Sequence, residues 1–170
     1  AGVFGMAAAV FEAVEAGDKN WRNLDIEVVP AVSAMLAAAA RIGAPLGHDF
    51  CVISLSSYLK PWAIIEKRLR VASEGDFVLA IYNPASKQRR EDLLNALKIL
   101  SDLRGADTIA VIATDVGRIE EKITTTTLAG LNPELVTMHS LLIIGSSHTR
   151  IIERGDKQPF VFTPRYYSPE

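Results

Sequence analysis

The chain has 170 residues, of which 49% are hydrophobic and 22% are charged, which suits one fair-sized domain, or one domain and a piece of another. The formal net charge of −2 excludes an overall attraction to nucleic acids or anionic membranes, so any site for an anion must be local. The single cysteine, Cys51, excludes an internal disulfide and favours a reducing, cytoplasmic setting, and no apolar run approaches the roughly 20 residues that span a bilayer.

Hydrophobic periodicity predicts alternating helices and strands over most of the chain. In chain order they are helix 3–16, strand 25–29, helix 31–42, strand 51–55, helix 61–73, strand 77–82, helix 84–101 and strand 108–113. The alternation then stops, and the later elements are strand 121–128, a short helix 131–135, strand 141–144 and an extended arm 159–167. Two consecutive strands without a helix between them imply an antiparallel pair, so the pattern predicts an α/β fold with a mixed sheet.

The first residues are unusual because a glycine turn, Ala1-Gly2, opens directly onto the predicted helix 3–16. Such a turn normally follows a strand, so we expect that residues preceding it have been lost. A domain that simply begins with a helix is the alternative. Further along, Pro30 restricts residue 29 to extended geometry, which makes 30–33 the best candidate for a domain boundary.

The segment from Tyr82 to Arg90 combines a strand end with several cations. It follows the apolar run 77–81, which is typical of a strand buried on both faces. Asn83 can cap the next helix, and Pro84 suits the first turn of that helix. Ligands of open α/β sheets lie outside the carboxyl ends of the strands, so this cationic turn suits an anionic ligand. A capped helix with a solvated first turn explains the same residues, and both interpretations stay open.

Other catalytic patterns are absent or weak. His48, His139 and His148 do not share a metal-ligand spacing, which argues against a zinc site. The chain contains no GxSxG nucleophile motif, no GxxxxGK[ST] phosphate loop and no GxGxxG dinucleotide motif. The threonine run 124–127 suits a strand, although inward-facing hydroxyls could contact a ligand.

Taken in order, five segments resemble the motifs of the tetrapyrrole methylase family. Residues 1–4 resemble the end of its glycine-aspartate-proline-glycine motif, and residues 28–34, Val-Val-Pro-Ala-Val-Ser-Ala, resemble its valine-proline-glycine-x-serine motif. Residues 81–83, Ile-Tyr-Asn, stand where the family has leucine-tyrosine-methionine, and 113–115 and 140–145 match its later strands. The resemblance extends over essentially the whole chain.

The resemblance implies an α/β fold of two lobes, with S-adenosylmethionine folded in the cleft between them. Residues 1–30 would be a remnant of the N-terminal lobe, and residues 31–170 the mixed-sheet C-terminal α/β lobe. Ala31 in place of glycine and Asn83 in place of methionine depart from the family pattern and change what those motifs offer the methyl donor. The cofactor-binding residues implied by the resemblance are Ala1, Gly2, Val3, Phe4, Ser33, Ala34, Tyr82, Asn83, Ala113 and Ser140.

Residues 82–89 and 163–166 are most similar to the branch of the family that methylates C-17 of precorrin-3B, with contraction of the ring, in vitamin B12 synthesis. The implied reaction moves a methyl group from the sulfonium of S-adenosylmethionine to a ring carbon and needs no metal. Precorrins carry many carboxylates, which Lys87, Arg89 or Arg90 would bind. No residue stands out as the general base; candidates near predicted strand ends are His48, Asp49 and Asp115.

The resemblance also implies a homodimer. The aromatic tail favours it, because four side chains there are costly to leave in water, namely Phe160, Phe162, Tyr166 and Tyr167. No nucleic-acid or membrane partner is expected. Two alternatives stay open: another methylase of the same fold that modifies a protein or RNA residue, such as a diphthine synthase, and a non-catalytic module for dimerisation or ligand binding.

Overall fold

The structure is a computed structural model, and it describes residues 3–58, 60–85 and 90–166. These residues divide into two compact units, one up to Ala34 and one from Met35 onward. The sequence predicted a boundary after residue 30, and the assignment of the two units to lobes of a larger fold stays a prediction.

The first unit contains helix α1, Val3–Ala16, and a 3-10 turn at Lys19–Asn23. The Asp18 side chain accepts a hydrogen bond from the Asn20 backbone N–H at 2.8 Å and so caps this turn. None of the described side chains of α1 is buried. The helix predicted at 3–16 is therefore confirmed, but its apolar residues contribute little to a core within this unit.

From Ala34 onward, helices and strands alternate and then give way to strands alone. The elements are α2 Ala34–Ile42, β1 Gly43–Ala44, β2 Phe50–Ser54, α3 Trp62–Glu74, β3 Val78–Tyr82, α4 Arg90–Arg104, β4 Ile109–Thr114, β5 Lys122–Thr127, a 3-10 turn Pro133–Leu135, β6 Ser140–Ile144, β7 Arg150–Arg154 and β8 Lys157–Phe162. No helix among the described residues is both long and apolar enough to cross a membrane.

Two sheets organise the larger unit. The five-stranded sheet has the order β2-β3-β6-β4-β5, and the three-stranded sheet has the order β1-β8-β7. In the larger sheet β2 and β3 are parallel, β6 is antiparallel to both β3 and β4, and β5 is antiparallel to β4. The predicted α/β fold with a mixed sheet is confirmed, and so is the antiparallel pair formed by the strands after residues 108 and 121.

The strand directions define two edges of the five-stranded sheet. Because β2, β3 and β4 run the same way, they end together at Ser54, Tyr82 and Thr114, and antiparallel β6 begins beside them at Ser140. We call this side the carboxyl edge. The opposite side, where β2, β3 and β4 begin and β6 ends, is the amino edge.

Apolar layers cover both faces of this sheet. On one face Leu79 and Ile81 of β3 belong to a core with α3 and α4, and on the other face Val78 belongs to a core with α2 and β8. All residues of β3 except Tyr82 are buried. The prediction of a strand buried on both faces is confirmed, although only one of its two neighbours is parallel.

Three predicted elements were wrong in whole or in part. No strand forms at residues 25–29, because a strand needs a hydrogen-bonded neighbour and none of the described residues pairs with this segment. The helix predicted at 84–101 is present as α4 over the described residues from Arg90, but 84 and 85, its first predicted residues, are not helical. The helix predicted at 131–135 shortens to the 3-10 turn, which begins at Pro133.

The tail is more regular than expected. Residues 157–162 form β8, the central strand of the small sheet, rather than an extended arm. Pro159 cannot donate a ladder hydrogen bond, which disfavours a regular strand. The pairing of β7 with β8 shifts in register between Ile152 and Arg154, and such an irregularity accommodates a residue that cannot take part in a regular ladder. Tyr167 lies outside the described residues.

Candidate functional site

The carboxyl edge brings together residues that are far apart in sequence. Ser140 pairs with Thr114 across β6 and β4, and Thr114 pairs with Lys122 across β4 and β5. Residues directly opposite each other on neighbouring strands share one face of a sheet. The three side chains therefore form a row, which lies on the face that α3 and α4 cover.

Ser140 fixes the turn that enters β6. Its hydroxyl lies 2.7 Å from the Thr114 hydroxyl and accepts a hydrogen bond from the Thr137 backbone N–H at 2.9 Å. The Thr137 hydroxyl in turn accepts from the His139 N–H at 3.2 Å. Ser140 is only 6% exposed, so its side chain positions the edge from within.

Tyr82 and Ala113 lie on the opposite face of the same edge, toward α2. The Tyr82 hydroxyl accepts a hydrogen bond from the Met35 backbone N–H at 3.0 Å, one of the N–H groups that the start of a helix leaves without a partner. Ala113 is buried in the core beside α2. The structure thus brings Tyr82, Ala113 and Ser140 to one edge but divides them between its two faces, and their roles toward a cofactor stay predictions.

Asn83 does not cap a helix, as the sequence had suggested. It has a left-handed backbone with φ of 50°, which asparagine tolerates better than most residues. Its side-chain amide donates a hydrogen bond to the Ser54 hydroxyl at 3.0 Å. Asn83 therefore ties the end of β3 to the end of β2.

Only one of the three candidate bases lies at this edge. Asp115 follows β4 directly, with φ of 49°, and its Oδ1 lies 3.6 Å from His139 Nδ1 and 3.6 Å from an Arg118 guanidinium nitrogen. His48 and Asp49 precede β2 and lie at the amino edge instead. A carboxylate beside an imidazole is a common arrangement for proton transfer, and the role of Asp115 as a base stays a prediction.

The predicted cationic residues are only partly described. Arg90 begins α4, and its guanidinium forms an ion pair with the Glu134 carboxylate of the 3-10 turn before β6. Lys87 and Arg89 lie outside the described residues, as do Ala1 and Gly2 among the cofactor predictions.

The remaining predicted cofactor residues belong to the first unit or border it. Val3 and Phe4 start α1, and Ala34 starts α2. The Ser33 hydroxyl is buried and has no hydrogen-bond partner among the described residues. A buried hydroxyl without a partner costs free energy unless a ligand or water satisfies it.

A polar cleft of 270 Å³ opens beside the row at the carboxyl edge. Its polar lining consists of Thr114, Glu120, Lys122, Thr124, Glu134 and Thr137. Of these residues, Thr124 belongs to the threonine run whose hydroxyls were predicted as possible ligand contacts, and Thr114 lies in the motif segment 113–115. The pairing of β4 with β5 was the signal for Lys122, since it places that residue beside Thr114, but the sequence did not give the register.

A larger apolar groove of 820 Å³ lies between β2 and α3. Its lining is mostly aliphatic, with Lys67 and Arg68 as its charged members, and burial raises the pKa of the Cys51 thiol in its wall, which favours the protonated form. Ligand recognition needs converging polar groups, and ligands of α/β sheets lie at the carboxyl ends of the strands. We therefore place the candidate site at the carboxyl edge rather than in this groove.

The amino edge is organised around Arg104. Its guanidinium donates hydrogen bonds to the carbonyl oxygens of Gly145, Phe77 and Ala72 at 2.7, 2.7 and 3.0 Å, and to the Ser73 hydroxyl at 3.1 Å. Burial lowers the pKa of Arg104, and the nearby Asp76 carboxylate opposes that shift. A guanidinium remains charged in any case. Arg104 therefore joins α3, α4, β3 and β6 structurally.

No group of three or more histidine, cysteine, aspartate or glutamate side chains that could hold a metal ion occurs within the described part of the chain. The carboxyl edge instead offers hydroxyls, an amide, one carboxylate–imidazole pair and an ion pair. Such groups can bind polar ligands and move protons.

Comparison with known proteins shows the family of this chain. Residues 1–132 match the model of the Tetrapyrrole (Corrin/Porphyrin) Methylases. The chain is 47% identical over 167 residues to a precorrin-3B C(17)-methyltransferase of Sinorhizobium sp, a match that covers 98% of this chain and 66% of the relative. It is 45% identical over 170 residues to the cobalamin biosynthesis protein CobIJ of Mycobacterium tuberculosis, covering 98% of this chain and 32% of that protein.

Among solved structures, the crystal structure of the methyltransferase CobJ superimposes with a TM-score of 0.88 at 43% sequence identity and covers 96% of this chain and 66% of that one. The chain thus spans at most 66% of the length of each of these relatives. The fold, the order of the motif residues along the carboxyl edge and the match over residues 1–132 agree, and the chain belongs to the tetrapyrrole methylase family.

Proposed function

We propose that this chain is part of an S-adenosylmethionine-dependent methyltransferase that methylates C-17 of precorrin-3B, with contraction of the macrocycle, in cobalamin synthesis. The observation that carries the proposal is the 47% identity, over 98% of the chain, to a relative with that name. The carboxyl edge supports it, because the residues that the family resemblance assigned to the cofactor include Tyr82 and Ser140, which lie at this edge on its two faces.

The residues present fit the methyl donor in one respect. The buried Ser33 hydroxyl lacks a partner among the described residues, and a polar group of a bound ligand would satisfy it. When bound, S-adenosylmethionine supplies an electrophilic methyl group on its sulfonium. The protein's task is to hold donor and acceptor carbon in line and to exclude water, for which a rigid edge such as the Ser140–Thr114 pair is suited.

Substrate recognition falls to cations near the same edge. Precorrin side arms end in carboxylates, which guanidinium groups bind through charge-assisted hydrogen bonds. Arg90 is the described candidate, together with Lys87 and Arg89 by sequence. Contraction of the ring also requires proton transfers, and we assign these to Asp115 and His139 because they lie together where β4 ends.

We also infer a homodimer that includes the aromatic tail. Phe160 and Tyr166 are exposed in the described structure, and aromatic side chains are enriched at the cores of interfaces. We also propose a cytoplasmic setting, because a chain with the single cysteine Cys51 cannot form an internal disulfide. Sedimentation of the full-length protein at high micromolar concentration should give a dimer, and a monomer would contradict this inference.

The test of the reaction is direct. The full-length protein is incubated without oxygen with precorrin-3B and S-adenosylmethionine carrying a ¹³C-labelled methyl group, and NMR of the product should show the label at C-17 of a contracted ring. Parallel reactions with the cobalt complex decide which metal state is used. Label on protein or RNA would support a diphthine synthase-like enzyme, and binding of the tetrapyrrole without turnover would support a non-catalytic module.

The donor site has its own test in Ser33→Ala. Loss of a hydrogen bond to the ligand should weaken S-adenosylmethionine binding by about 1 kcal/mol, roughly fivefold. Thr125→Val is a matched control, because the Thr125 hydroxyl is also buried and has no partner in the part of the chain that the structure describes, but it lies on β5. Equal donor affinity in both variants would remove Ser33 from the site.

A further inference from the structure

The Arg90–Glu134 ion pair joins two elements that border the polar cleft. Arg90 is the first residue of α4, and Glu134 belongs to the 3-10 turn that precedes β6. The two side chains are 43% and 74% exposed, so solvent or a ligand can reach both. Exposed ion pairs contribute little to stability, and a competing anion can therefore replace one partner at small cost.

Replacing Glu134 by another anion in the ion pair changes the balance of charge around the cleft. Glu120, Glu134 and Lys122 are the charged residues in the lining, and while the ion pair is closed Arg90 neutralises Glu134, so Lys122 and Glu120 balance each other and the cleft offers an anion no net positive charge. If Glu134 turns toward water, Arg90, which borders the cleft through its contact with Glu134, is released, and with Lys122 it gives two positive charges against one remaining carboxylate, Glu120. Three threonine hydroxyls in the lining can then donate hydrogen bonds to an anion, namely Thr114, Thr124 and Thr137.

The position of the cleft connects it to the candidate site. Thr114 lines the cleft and also stands in the row with Ser140 at the carboxyl edge. A ligand bound at this edge could therefore extend a side arm into the cleft. The cleft volume of 270 Å³ suits a short acidic chain and not a macrocycle.

We propose that Glu134 occupies the Arg90 guanidinium in place of substrate, and that a carboxylate side arm of the tetrapyrrole displaces Glu134 and enters the cleft between Arg90 and Lys122. This inference rests on the proposed function and deepens it, since it assigns a subsite and a selection step to the same edge. A tetrapyrrole whose side arms are not acidic leaves the ion pair closed and gains nothing from the cleft.

The test compares wild type, Glu134→Gln, Arg90→Ala and the double variant in the full-length protein, with uroporphyrin III as a stable polycarboxylate tetrapyrrole probe. Glu134→Gln frees Arg90 and should tighten binding of the probe about two- to fivefold. In the Arg90→Ala background the same substitution should give no such gain. Binding of S-adenosylhomocysteine, which does not depend on the cleft, should be unchanged by Glu134→Gln.

Glu120→Gln is the matched control, because it removes a negative charge from the same cleft without releasing Arg90. Its gain should be smaller than that of Glu134→Gln and equal in both backgrounds. A Glu134→Gln gain that persists undiminished in Arg90→Ala, or no gain at all, overturns the proposal. If wild type transfers methyl groups to precorrin-3B while Glu134→Gln leaves the affinity for uroporphyrin III unchanged, this inference alone fails. If wild type neither binds nor methylates a tetrapyrrole, the proposed function fails with it.

Discussion

At the amino edge of the five-stranded sheet Arg104 donates hydrogen bonds to three carbonyl groups and a hydroxyl, whereas at the carboxyl edge Arg90 pairs with the exposed carboxylate of Glu134. Both residues lie at the ends of the same helix, α4. The C-terminal guanidinium is committed to main-chain acceptors, and the N-terminal one stays accessible. The same side-chain type therefore serves stability at one edge and remains available for binding at the other.

The hydroxyls differ in the same way. At the amino edge the Thr149 and Thr163 hydroxyls lie 2.9 Å apart, and Thr163 donates to the Pro45 carbonyl at 2.7 Å, all within buried surroundings. At the carboxyl edge Thr114, Lys122 and Thr124 border an open cleft. An enzyme site needs polar groups that a ligand can reach, and their rigid placement depends on a core behind them whose polar groups are hydrogen-bonded.

The largest expected effect tests the structural edge. Arg104→Ala removes the guanidinium hydrogen bonds to three carbonyl groups, of which Ala72 keeps the Phe77 N–H as a donor, and should lower the free energy of unfolding by about 3 kcal/mol, the upper range for hydrogen bonds to a charged group. Arg90→Ala is the matched variant at the other end of α4 and should change it by less than about 0.5 kcal/mol. Urea unfolding of both variants measures the difference, and equal losses would erase the contrast between the two edges.

Ser140→Ala should have the next largest effect. It removes the hydroxyl shared by Thr114 and Thr137 and leaves the Thr137 N–H without its acceptor, at a cost of about 1–2 kcal/mol. Ser147→Ala at the amino edge removes an exposed hydroxyl bonded to Asp76 and should cost less. Thermal unfolding compares the two. A larger loss for Ser147→Ala would mean that the turn before β6 does not depend on Ser140.

Substitutions of Asn83, which has a left-handed backbone at the carboxyl edge, should have a smaller effect on the free energy of unfolding. Asn83→Ala and Asn83→Gly both lose the hydrogen bond to Ser54, but alanine tolerates the left-handed backbone less well than glycine, so Asn83→Ala should be less stable than Asn83→Gly by about 1 kcal/mol. At the amino edge Asp76 has φ of 52°, but its carboxylate also accepts two hydrogen bonds from Ser147. Asp76→Gly should therefore destabilise despite its relaxed backbone, and a neutral result there would contradict the structural role.

The smallest effect concerns pH. The backbone N–H of Gly117, at 2.6 Å, and then Arg41 hold the pKa of the Glu121 carboxyl below its ordinary 4.5. A carboxyl whose pKa is depressed on folding stabilises the protein above its unfolded value, and that contribution is lost as pH falls through the folded value. Glu121→Gln should therefore melt below wild type at neutral pH, and the two should converge as pH falls below 4.5. A difference that persists in acid would exclude this ionisation as its cause.

Local sequence patterns carried much of the fold. The apolar run before Tyr82 predicted a strand buried on both faces, because continuous aliphatic residues have no side to turn toward water. The spacing of apolar residues predicted α1 and α3 to within a residue or so, and the order of short motifs identified the family. The segment 25–29 failed, since a strand depends on a neighbour that its own residues do not specify.

Tertiary structure alone decided the composition of the candidate site. Strand order and register place Lys122 beside Thr114 and Ser140, turn Asn83 toward Ser54, and bring Glu134 to Arg90. Most of these contacts join residues that are far apart in sequence, and loop closure between them is stabilised only when the whole sheet forms. Arg90 and Arg104 cannot be told apart by their side-chain type in the sequence. Only the neighbours of each residue in the folded chain determine whether it is hydrogen-bonded within the core or able to exchange its partner.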